Sequence, residues 1–75
     1  QTLMMHVINS LGDSVDLAST RAILSNLVQS GALEEGVAHA LYTAMGERSL
    51  AAVPQERRAA VRADMMKQVL LLQLA

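Results

Sequence analysis

The chain has 75 residues, a formal net charge of −1, no cysteine and a single aromatic residue, Tyr42. The absence of cysteine excludes disulfide staples and thiolate metal ligands. The charge balance excludes an overall basic field that would draw the chain to nucleic acid or an anionic membrane.

Apolar residues make up 52% of the chain, yet there is no Phe and no Trp. The core must therefore come from Leu, Val, Ile, Ala and five Met, which pack adaptably but specify shape weakly. One domain of this length buries only ~60% of its unfolded surface. Oligomerisation is the expected support for so small a core. No apolar run approaches the ~20 residues of a membrane span, and no basic segment with a following apolar stretch opens the chain. A cytoplasmic location is the expectation. The chain opens on Gln1 rather than Met, which leaves room for a trimmed or missing piece before residues 1–75.

From Thr2 to Leu11 the spacing predicts an amphipathic helix with Leu3, Met4, Val7, Ile8 and Leu11 on one side. Gly12 stands where a left-handed cap is expected, and Ser14 and Asp16 are two candidate N-caps for the next helix. That helix should run from about Asp16 to Ser30, with Leu17, Leu24 and Val28 inward and Gly31 closing it. A third starts near Ala32, with Glu34 and Glu35 in its first turn. Its apolar face reads Leu33, Val37, Ala40, Leu41, Ala44 and Met45, and Gly46 ends it. The connection Glu47 to Val53 includes Leu50, Ala51 and Ala52, which suit a short helical turn.

The last helix carries the strongest start signal. Pro54 suits its first position, where a missing N–H costs nothing. From Arg57 to Ala75 there is neither Gly nor a second Pro. Val61, Met65, Val69 and Leu72 form one stripe, and Ala59, Ala63, Met66 and Leu70 a second beside it. Together they cover roughly half the circumference, wider than the ~100° a surface helix shows its own core. Such a helix touches two things. No segment alternates with period two, so the fold expected is all-α: about four helices in a small bundle, completed by dimerisation through the last one. The expected interface is Val61, Met65, Met66, Val69, Leu70 and Leu72.

Several short motifs invite a chemical reading. Gly12-Asp13-Ser14 resembles the opening of the GDS-type lipases and esterases, which implies Ser14 as a nucleophile. That family places a strand before the motif and an Asp-x-x-His near the end, and neither pattern is here. Leu11-Gly12-Asp13-Ser14-Val15 resembles the Asp-Ser-Leu segment of acyl carrier proteins, which implies a helical fold and a phosphopantetheine arm on Ser14. The helix after the serine is strongly acidic in that family. Here Leu17 to Ser30 has one Arg and no acid. His6 and His39 lie on different helices, and Glu35 with His39 makes one pair, short of the three or four ligands zinc wants. No cofactor, metal or catalytic residue is expected.

Leu27, Gly31, Val37 and Ala40 fall near the offsets of a helix-turn-helix. The reading helix would then expose Glu34, Glu35, His39 and Thr43, with no Arg or Lys before Arg48. Such a face repels phosphates, so nucleic acid is the weaker reading. Arg57, Arg58 and Arg62 form the one notable charge group. Its bland account is solvated side chains balanced by Glu56 and Asp64. Its sharper account is a site for an acidic protein segment, since Arg binds carboxylates in bidentate form. The sequence thus points to a non-enzymatic interaction module, a small regulatory or adaptor protein or an oligomerisation domain. DNA binding and a carrier modified at Ser14 stand as the alternatives.

Overall fold

Two glycines set the first half of the fold. Gly12 (φ +71°) and Gly31 (φ +81°) are the left-handed residues among those described, a conformation that costs a side-chain-bearing residue roughly 1–2 kcal/mol. They close the first two helices of the computed structural model, which describes residues 2–75. The helices are α1 (Thr2–Ser10), α2 (Leu17–Gln29), α3 (Glu35–Ala44) and α4 (Arg58–Leu74), with a 3₁₀ turn at Gln55–Arg57. No strand occurs among the described residues, so the all-α bundle is the fold.

At Gly31 the chain closes α2 with a Schellman pair. The Gly31 amide donates to the Val28 carbonyl and the Ala32 amide to that of Leu27, both at 3.0 Å. The Leu33 amide also donates to Leu27, at 3.2 Å. Ala32 and Leu33 are therefore committed to the end of α2. This is why α3 begins at Glu35 rather than near Ala32. Between the two candidate caps of α2, Asp16 holds the place: its carboxylate accepts from the Ser19 amide at 2.7 Å. Thr20, fully buried, donates its hydroxyl to the Asp16 carbonyl at 2.8 Å.

Pro54 does not open α4. It precedes the 3₁₀ turn, where its carbonyl accepts from the Arg57 amide at 2.9 Å, and α4 starts four residues later at Arg58. The segment from Gly46 to Val53 winds through successive turns, including a Leu50 amide to Gly46 carbonyl bond at 3.0 Å, and buries Leu50.

Met4, Ile8 and Leu11 of α1 and its end meet Leu24 and Leu27 of α2, Leu41 of α3, and Met66 and Leu70 of α4 in one core. The backbones of α2 and α3, and of α1 and α4, come closest; α1 and α4 each also approach α2. The α3–α4 seam is looser. A backbone bond from the Val15 amide to the Ala59 carbonyl (3.0 Å) pins the α1–α2 loop onto α4. The radius of gyration, 11.6 Å, matches the ~11 Å expected of a compact chain of this length. Each protomer thus closes its own core.

Candidate dimer interface

Part of the apolar arc of α4 faces the protomer's own core and part of it is turned outward. Ala63, Met66 and Leu70 are buried in the protomer's own core. Met65 and Val69 are half-buried and pack against the edge of that core, Val61 is half-buried, and Leu72 is 71% exposed. Met66 and Leu70 therefore leave the expected interface, because each has no exposed surface to offer a second chain. The outward stripe is Val61, Met65, Val69 and Leu72.

The arginine group is also sorted by its surroundings. Arg62 is 4% exposed. Its Nε donates to the Met45 carbonyl at 2.9 Å and its guanidinium pairs with Glu47 at 2.5 Å. Arg58 pairs with the other oxygen of the same carboxylate at 2.7 Å, while its Nε donates to the Val53 carbonyl at 3.0 Å. One glutamate thus ties two arginines of α4 to the loop that precedes it. The hydrogen bond from Arg58, with Arg62 beside it, holds the Glu47 carboxyl below the ordinary glutamate range. A carboxylate of the chain itself, Glu47, thus lies opposite Arg58 and Arg62. Glu56 and Asp64 are not the partners; Asp64 accepts from Gln68 instead. Only Arg57 remains exposed from the three residues assigned to an acidic segment.

Ala40 and Ala44, expected on the apolar face of the third helix, are turned outward. Ala38, Leu41 and Met45 are the buried face of α3, while Ala40 and Ala44 are exposed. Along the loose seam, Gly36, Val37, Ala40, Leu41 and Ala44 of α3 face Met65 and Val69 of α4 across a groove of about 440 Å³. None of these seven residues has a side-chain nitrogen or oxygen. The signal that could have found it is the four-residue spacing of Gly36, Ala40 and Ala44, three small residues on one face.

The opposite flank of α3 lines a different cleft, where Arg21, His39 and Tyr42 rim a floor including Leu24 and Ala38. His6, His39 and Ser14 are exposed. No group of three metal-ligating side chains occurs among the described residues. No described helix is long and apolar enough to cross a membrane.

A protein-family model, the CtsR C-terminal dimerization domain, matches residues 1–71. The chain belongs to that family. No curated protein and no solved structure matches it. Membership of the CtsR C-terminal dimerization domain family makes the chain a helical oligomerisation module. The family is described by pairing and not by catalysis, and self-association is the activity its name carries.

Proposed function

We propose that the chain holds two copies of a larger regulatory protein together, as the C-terminal dimerization domain does by its name in the family to which it belongs. The observation that carries this is the outward stripe of α4. Leu72 is 71% exposed, and Met65 and Val69 sit above a core already filled by Met66 and Leu70. An apolar surface of that kind costs a solvated monomer ~25 cal/mol for each Å² it leaves in water, and a second copy removes that cost. The regulatory work then belongs to whatever the chain is joined to. The module supplies pairing, and pairing raises the effective concentration of the joined parts.

The test is to join the chain to a DNA-binding head that represses only as a dimer. Repression of a reporter is the expected outcome. A fusion that is folded, abundant and inactive overturns the proposal.

A further inference from the structure

We propose that the α3–α4 groove seats a second copy of this chain, entered by the Met65–Val69–Leu72 ridge of that copy. The inference rests on the self-pairing reading above and goes further by naming the surface.

Three observations select the occupant. The first is chemical: the walls are Val37, Leu41, Met65 and Val69 over small floor residues, with no side-chain hydrogen-bonding atom. A nucleotide or an acidic peptide would lose its solvation there and gain no partner. An apolar helix face loses nothing. The second is geometric. Ala40 and Ala44 have only a methyl group each, and both point to solvent in the protomer, so an incoming helix can approach α3 closely. The third is self-complementarity. Two-fold pairing requires one patch to supply both the protruding and the receiving surface. Here the half-buried Met65 and Val69 wall the groove and, with the exposed Leu72 at the next turn, also form the ridge beside it. One patch thus contains both halves of a symmetric contact. The backbones of α3 and α4 are also not among the closely approaching pairs of helices, so the second copy covers a seam that the protomer leaves loose.

Ala40→Glu tests this cleanly. Residue 40 is solvent-exposed in the protomer, so a glutamate there, itself a good helix former, leaves the monomer fold intact. Across a two-fold interface the change places two carboxylates in an apolar contact, which should weaken association by about 100-fold or more. Ala22→Glu, the same chemical change on the outward face of α2, should leave association unchanged. Sedimentation equilibrium of the wild-type chain and both variants reads the outcome, with circular dichroism to confirm the helices.

A wild-type chain that stays monomeric at micromolar concentration overturns the self-pairing reading itself. A dimeric wild type whose Ala40→Glu variant associates equally well overturns the groove and leaves pairing standing. Equal loss in both variants also overturns the groove, since the effect would then be one of net charge.

A second measurement needs no substitution. In a methyl-labelled sample the Met65 resonance should shift with dilution while that of Met4, buried in α1, should not. A shift confined to Met5, on the exposed side of α1, would place the interface elsewhere and sink the proposal.

Discussion

Glu47 shows how a single exposed carboxylate can control a buried cation. Its own side chain is 58% exposed, while that of Arg62, which it neutralises, is 5% exposed. The exposed partner is screened by water and contributes little by itself. Its value lies in keeping the guanidinium of Arg62 paired away from solvent, because an unpaired buried charge is costly. The two arginines lower the pKa of Glu47 in the folded chain. A depressed carboxylate stabilises the fold fully above its unfolded-state pKa, and that stability is lost as pH falls through the lower folded value. Asp16 has the same sign, because the Ser19 amide bonds to its carboxylate. Acid melting should therefore begin in the ordinary carboxylate range and continue below it. Glu47→Gln should lower the melting temperature at neutral pH and flatten the acid limb. A variant with an unchanged limb in a melting series against pH would show that the fork contributes nothing.

Among the elements, α3 starts without a side-chain cap. Glu34 occupies its N-cap position with extended backbone, but its side chain makes no capping hydrogen bond. Glutamate is one methylene too long to fold back onto its own helix as Ser or Asp does at that position. Glu34→Ser should supply the missing acceptor and raise stability by ~0.5–1 kcal/mol, measurable by urea unfolding. No gain would mean the first-turn amides are already satisfied by water.

The helices themselves were legible in the sequence. Gly12, Gly31 and the 3.6-residue spacing mark α1 and α2 to within a residue or two, since positive φ and apolar period are local properties. The start of α3 was not legible. Ala32 and Leu33 are good helix residues, and only their capping bonds to the Leu27 carbonyl at the end of α2 remove them. The orientation of α3 was lost for a related reason. Ala38, Ala40 and Ala44 are chemically identical, so only packing decides which is buried. On α4 the width of the arc was readable, but which stripe faces inward depends on the neighbouring helices. The Glu47 fork spans 15 residues to Arg62, and no local pattern announces a pair at that distance.

For the whole molecule, self-association and stability are linked. A partner that binds only the folded chain stabilises it by mass action, and a hundredfold change in its free concentration is worth about 2.7 kcal/mol. In a domain of this size that moves the melting temperature by several degrees. The wild-type chain should therefore melt lower on hundredfold dilution, while Ala40→Glu should melt at one temperature throughout. A concentration-independent wild type, followed by circular dichroism, would count against a dimer.

The meeting of α1 with α4 has a consequence in time. Met4 packs in the same core as Met66, about 60 residues further along the chain. At a synthesis rate of ~5–20 residues per second, the apolar face of α1 waits roughly 3–12 s for its cover. The α2–α3 hairpin, whose members are neighbours in the chain, can form during that interval. The pairing groove cannot, because Met65 and Val69 of its second wall are made after α1, α2 and α3. A ribosome therefore releases the core-forming and pairing surfaces of α4 almost together. Two nascent copies on adjacent ribosomes meet no finished groove until each has had the means to close its own core. The order in which the residues are written favours a chain that folds alone first and finds its partner second.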